Sequence, residues 1–362
     1  MIYNLTLNDR TQKKVLRELE TTEKLISKVA TKLSSTKKTC DIYAMSDLGI
    51  AHNVTRMRGG FFTGAAYVWE QPDTPFIPVD TTINVCGTAL YKINSDMNIT
   101  EFRKRCEKAL ADKSRYDWNF TRGNHFISLC HLENDDNHIG MKKCYYMLVH
   151  ASACEYKEQL YPIIGNWYYN RIVTERLGEY RYLRFIKGEE AKRFYQMAKM
   201  LKSFNRERNY DFCKQVLSEK MGNEILNVAH YGMPTIHEVL IGVQKTGELA
   251  TLLTSPGKNV YIVKKIENDK NNYIPHGFGL GLPENSDFAY CENGIQIGKK
   301  KFSSGSITIG EDAINRHGFL ETDESLRKYV RKIAEINELE ICAELKQICS
   351  FSANGFQVWR GN

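Results

Sequence analysis

With 362 residues, 42% hydrophobic and 26% charged, the chain has a globular composition and a length that allows one large domain or two ordinary ones. It contains no run of about 18 apolar residues that would span a membrane, and its first eleven residues lack the basic-then-apolar order of a signal peptide. Lysine and arginine number 50 against 43 acidic residues, so the net charge of +7 permits a polyanionic partner without arguing for one.

Val15, Leu16, Leu19, Ile26, Val29 and Leu33 recur at spacings of three, four and seven, which predicts an amphipathic helix within 1–38. Thr11 is its expected cap, and Lys13, Lys24 and Lys28 mark its solvated face. From residue 41 the texture changes, as Gly59-Gly60, Pro72, Pro75 and Pro78 punctuate short β-rich runs such as 61–69. Residues 101–111 read as a short helix, and 126–129 and 145–149 as strands around a polar turn at 133–137. Two helices are expected next, over 188–204 and 210–221. Strands return at 238–243 and 260–266, residues 271–306 are glycine-rich, and 325–348 carries helical periodicity. No repeat or low-complexity linker interrupts the chain. The expectation is therefore one α+β domain over 1–362, with an N-terminal helix (1–38), a core (41–310) and a C-terminal helix and tail (320–362).

Ten cysteines without a secretory signal read as reduced cytoplasmic thiols or metal ligands. Four segments carry a soft or borderline ligand at an expected strand end, beside small residues that leave room around it. Cys86 precedes Gly87; His125 stands in Gly123-Asn124-His125-Phe126; His150 ends the apolar run 146–149 and is followed by Ala151-Ser152-Ala153; His230 follows Val228-Ala229. A thiolate with imidazoles suits a divalent ion, zinc foremost by softness and iron or manganese after it. The four are far apart in sequence and form no compact metal motif, and a histidine at the end of an apolar strand is more often a satisfied, partly buried side chain than a ligand.

The order and wording of these segments resemble the RtcB family of RNA ligases, which join a 3′-phosphate or 2′,3′-cyclic phosphate end to a 5′-hydroxyl using GTP and manganese. Met45-Ser46-Asp47 is similar to the family's M-P-D-V-H, residues 83–87 to D-I-N-C-G, and 149–152 to V-H-S-G-S, while 123–126 match G-N-H-F in every letter. Val228-Ala229-His230 resembles V-A-H-N, Lys245-Thr246-Gly247 falls where the family has R-K-G, and Ile274-Pro275 opens the stretch where it has I-P-G-S-M-G. The likeness runs in family order over about two-thirds of the chain. It implies an RtcB-like domain with peripheral helices and a strand-end metal site of Cys86, His125, His150 and His230, loaded with manganese or zinc. It also implies Asn124 beside the nucleotide phosphates of GTP, and broken RNA ends, tRNA included, as partners. Asp47 becomes an acceptor that fixes one imidazole, or simply the start of a turn.

The chain also departs from the family. Ile83 fills the slot of the second-site aspartate, which favours one ion over two, and Asp80 is expected on the opposite strand face. Ser128 stands where the family has a glutamate. Glu292 occupies the slot of the nucleophilic histidine, where a carboxylate forms no phosphoramidate and repels the α-phosphate. His276 is the nearest alternative nucleophile, Arg360 a candidate guanine donor, and the aromatic run Trp167–Tyr169 a candidate for base stacking or for packing. Three readings follow: an RNA ligase; a homologue without guanylylation that binds or hydrolyses a phosphate end, with Glu292 as general base; and a non-enzymatic binder whose metal is structural.

Overall fold

Asp9 caps the first helix, Arg10–Lys32, by accepting the Gln12 N–H while the Gln12 side chain accepts the Asp9 N–H. Thr11, the expected cap, sits inside the first turn, where its hydroxyl accepts the Leu282 N–H (2.9 Å). Asp9 takes the position because its backbone is extended and its carboxylate reaches the third helical residue. The computed structural model describes residues 1–135, 141, 144–153, 169–245, 247, 249–266, 271–277, 279–303, 305, 307, 314–315 and 322–359. Arg360, Trp167, Tyr168 and the end of the expected turn at 136–137 lie outside these.

The first helix buries Val15, Leu19, Ile26 and Val29 in the core it shares with a five-stranded sheet. That sheet runs Ile2–Asn4, Cys40–Gly49, Thr63–Trp69, Glu238–Ile241, Tyr231–Gly232. The opposite face of the helix keeps Lys13, Lys24 and Lys28 exposed, and Lys28 and Lys32 share Glu175 at 2.6 Å. The strand expected over 238–243 breaks at Gly242, whose φ of +67° turns Val243–Lys245 into a separate pairing with Tyr273–Pro275.

A larger, curled antiparallel sheet follows the order Met221–Ala229, Gly87–Ile93, Tyr145–Ala151, Phe126–Asp135, Leu339–Ser352, Val260–Lys265, Ala250–Leu252. Its middle strands are covered on both faces, which is why they read as unbroken apolar runs. Met147 and Val149 face one cluster and Tyr146 and Leu148 the other, as a two-residue side-chain period demands.

Two sequence expectations change here. The helices expected over 188–204 and 210–221 are one helix, Glu189–Leu217, and Met221 already begins a strand. The stretch between the two expected helices is helical as well, and its Asn205, Arg208 and Asn209 are at most 4% exposed on the face turned to the sheet. The periodic segment 325–348 divides into a helix, Asp323–Ile336, and a strand, Leu339–Ser352. Glu338, at φ +54°, makes the corner, and Leu339, Ile341, Ala343 and Leu345 then keep a two-residue spacing. The C-terminal segment is thus a central strand of the main sheet rather than an appended tail. These layers form one mixed α+β domain, and among the described residues no helix is long and apolar enough to cross a membrane.

Candidate metal centre

Four neighbouring strands of the main sheet deliver the four expected ligands to one end. Cys86 immediately precedes Gly87–Ile93, His125 immediately precedes Phe126–Asp135, His150 is the penultimate residue of Tyr145–Ala151, and His230 follows Met221–Ala229. Because adjacent strands are antiparallel, two strand starts and two strand finishes share that edge. The register fixes it, with His150 opposite both Phe126 and Thr88, and Ala229 opposite Gly87.

Close approach makes Gly87 necessary: a Cβ there would stand 2.5 Å from the Val228 oxygen and 2.9 Å from the Ala229 Cα. Just before the cysteine, Val85 is held at φ +47°, a strained conformation for a β-branched residue. The carbonyl of Val85 accepts the Asn205 amide (3.0 Å).

Cys86, His150 and His230 form a buried group whose ligand atoms all lie within 4.8 Å of one another, so it can hold a metal ion. Cys86 Sγ is 3.0 Å from His150 Nε2 and 3.7 Å from His125 Nε2, and the Nε2 atoms of His150 and His230 are 3.2 Å apart. An ion bonded at about 2.3 Å to sulfur and about 2.05 Å to nitrogen in a tetrahedron sets edges of about 3.6 Å between S and N and about 3.3 Å between nitrogens. The donors already lie near those edges. The His125 Nδ1–H donates to the Asn119 carbonyl and the His150 Nδ1–H to the Asn124 carbonyl, each at 3.0 Å. Both bonds put the free lone pair on Nε2, toward the cluster. His230 Nδ1 is buried with no hydrogen-bond partner among the described residues.

Burial holds the His125 imidazole down, from 6.5 to about 4; nearby Arg208 adds to this and the Asn119 carbonyl opposes it. His150 and His230 are driven the same way, by burial first and by neighbouring imidazoles second. Neutral imidazoles are the form that binds metal. The same shifts set the pH dependence of the metal-free protein. His125 takes up its proton near pH 6.5 in the unfolded chain and only near pH 4 in the folded one, so its contribution to stability is complete above 6.5 and is lost as pH falls through that window. Each imidazole kept neutral steepens the loss by about 1.4 kcal/mol per pH unit. Thermal melts in a chelator should therefore drop between pH 7 and pH 5, and His125→Gln should flatten the drop.

The buried polar stripe of the long helix holds this edge together. Asn205 donates to the Val85 and Ala151 carbonyls (3.0 and 3.4 Å), next to Cys86 and His150. Arg208 donates to the Ser152 carbonyl (2.5 Å) and to Asn205 Oδ1 (2.6 Å). Asn119, whose carbonyl orients His125, also donates its side-chain amide to the Ser152 carbonyl. These residues escaped the sequence reading, although their signal was there: Asn205, Arg208 and Asn209 are three and four apart on a helix face that also carries Phe212 and Val216. Asn205→Ala removes the side-chain hydrogen bonds to two carbonyls and is expected to destabilise the fold by about 1–3 kcal/mol. It should also weaken metal affinity about 10–100-fold, as read by chelator competition.

Other expected site residues fall as follows. Asp47, fully buried, accepts the His276 Nδ1–H at 2.6 Å and the backbone N–H groups of His276 and Gly277 at 3.2 and 3.3 Å, all on Oδ2. The imidazole it fixes is thus that of His276, whose ring centroid lies 4.9 Å from that of His230. Asn124 is exposed, and its described bond to the site runs through its carbonyl. Asp80 is turned to Arg184, whose Nε donates to it at 3.0 Å, and no carboxylate joins the metal group among the described residues. Glu292 is exposed in the turn between Phe288–Cys291 and Gly294–Ile297, where its carbonyl accepts from Arg58 (3.3 Å). No described contact joins it to the cluster. Ser128 is buried against Gln347 (2.9 Å).

Neither a scan against protein-family models nor a search of curated proteins returns a match to this chain.

Proposed function

We propose that the chain is an RtcB-like RNA-end ligase, joining a 3′-phosphate or 2′,3′-cyclic phosphate to a 5′-hydroxyl at the expense of GTP, with His276 as its nucleophile. The observation that carries this reading is the Asp47–His276 pair set against the metal group. Asp47 holds the proton on Nδ1, which leaves the Nε2 lone pair for attack. Nε2 forms a bond to the α-phosphorus of GTP as the bond to pyrophosphate breaks, and the positive charge that develops on the ring faces the Asp47 carboxylate. A divalent ion at Cys86, His150 and His230, with His125 as fourth donor, would supply charge neutralisation at the phosphates. Sulfur with imidazoles and no carboxylate favours zinc, while the family resemblance favours manganese.

A second reading is supported by Ile83 and Ser128, which replace two acidic residues of the family. In it the protein has lost guanylylation and uses a single ion to bind or hydrolyse a phosphate end. Incubation with α-labelled GTP and manganese separates the two. A covalent, acid-labile adduct supports the ligase; no adduct, together with phosphate release from RNA ends that Cys86→Ala lacks, supports the second reading.

A further inference from the structure

A cavity of about 930 Å³ opens between the long helix and the strand Met221–Ala229. Lys199, Lys202 and Arg206 line one wall, and their spacing of three and four places them on a single helix face about 10 Å long. Lys245 stands on the other wall, and all four cations are exposed. Arg206 is bridged to Glu224 and Lys245 to Glu238 at 2.6 and 2.7 Å. Lys199 and Lys202 make no ion pair among the described residues. Between these walls Ile225, Leu226, Val228, Leu249 and Ile274 supply apolar lining, with Glu224 and Asn227 on the same strand. Gly87, Ala229 and Tyr231, the chain neighbours of Cys86 and His230, also line the cavity, so it extends to the strand ends that carry the metal group.

We propose that this cavity is the groove that binds a single-stranded stretch of RNA and leads its end toward the metal group. The proposal rests on the RNA-end reading above and adds where, and in what form, the strand is held. A polyanion alone needs only the cations. Cations ranged along an apolar floor match a ligand with charge on one edge and flat, weakly polar faces on the other, which is the character of unpaired nucleotides. A duplex presents phosphates outward and hides its base faces, so it matches only the walls.

The test is fluorescence anisotropy with the full chain and a labelled single-stranded RNA of about 20 nucleotides ending in a 3′-phosphate, over a range of salt. Lys199→Glu with Lys202→Glu is expected to weaken binding at least about tenfold and to lower the salt slope by about 1.4, roughly 0.7 for each phosphate that a lysine no longer neutralises. Lys13→Glu with Lys24→Glu, the same charge change on the outer face of the first helix, should leave binding unchanged. If the first pair impairs folding, judged by circular dichroism and metal content, Lys199→Gln with Lys202→Gln replaces it. Wild-type affinity and slope in the groove variant overturn the proposal. So does displacement of the RNA by polyglutamate as effective as displacement by unlabelled RNA, which would assign the groove to acidic protein. Groove-dependent RNA binding without any GMP adduct leaves the groove standing and removes the ligase reading. An adduct with RNA binding indifferent to the groove does the reverse.

Discussion

Metal analysis of the purified protein is expected to find one divalent ion per chain, and Cys86→Ala, His150→Ala or His230→Ala to lose it. The geometry sets the size of the effect. Sulfur and two imidazole nitrogens lie 3.0 and 3.2 Å apart, so all three can bond one ion at the same time. An alanine leaves two nitrogens, or one nitrogen and the sulfur, plus the more distant His125. We expect affinity to fall at least about a thousandfold, or about 4 kcal/mol. His125→Ala should cost less, about tenfold, because His125 stands outside the Cys86, His150 and His230 group whose ligand atoms all lie within 4.8 Å of one another. Competition with a chromophoric chelator measures all four. Retention of the ion by Cys86→Ala would show that the thiolate is no ligand.

The same series separates an ion that works from one that only holds the fold. Ligand loss in a structural site removes folding free energy directly, and the chain then unfolds on chelation. Here the cluster lies at one edge of a domain with several apolar cores, and the strand ends are also fixed by Asn205, Arg208 and Asn119. The stripped protein should therefore remain folded at neutral pH, with a lowered melting temperature that returns when the ion is restored.

Cys86, His150 and His230, which the structure brings into one buried group, were picked out in sequence by their place at expected strand ends together with the family resemblance. That pattern survives folding, since strand ends in an antiparallel sheet meet along one edge. What brings them into register was not legible: Phe126 pairs with His150 and Gly87 with Ala229 through contacts more than twenty residues distant. The helix expected over 325–348 failed for a related reason. Leu345 and Ile348 fit a helical spacing as well as a strand, and only the place opened for it between Phe126–Asp135 and Val260–Lys265 decides. Local spacing also left 205–209 between two expected helices, a stretch that one helix crosses through Asn205 and Arg208. Their partners are carbonyls of segments 50 to 120 residues away, invisible to any window. For the proposed nucleophile, alignment of motif letters put Glu292 first and His276 as its alternative; the proposal takes His276 because its ring lies 4.9 Å from that of His230, while no described contact joins Glu292 to the cluster.

His276→Ala is expected to abolish the labelled GMP adduct and Glu292→Gln to leave it intact. The chemistry of the linkage gives an independent readout. A phosphoramidate on His276 is labile in acid and stable in alkali, whereas an acyl phosphate on Glu292 is labile in both; release of the label by alkali would overturn the assignment to His276. Asp47 supplies the finer test. All three N–H donors converge on its Oδ2, while Oδ1 is buried without a hydrogen-bond partner among the described residues. In Asp47→Asn the amide oxygen can take the Oδ2 position and keep all three bonds, so the ring orientation and the free Nε2 survive and only the negative charge goes. A hydrogen bond to a charged acceptor is worth about 1–1.5 kcal/mol more than one to a neutral acceptor, so adduct formation should slow about tenfold. Asp47→Leu removes the acceptor altogether, frees the ring and should approach the loss seen with His276→Ala. Equal losses from Asn and Leu would mean that the carboxylate charge, not the orientation, is what His276 depends on.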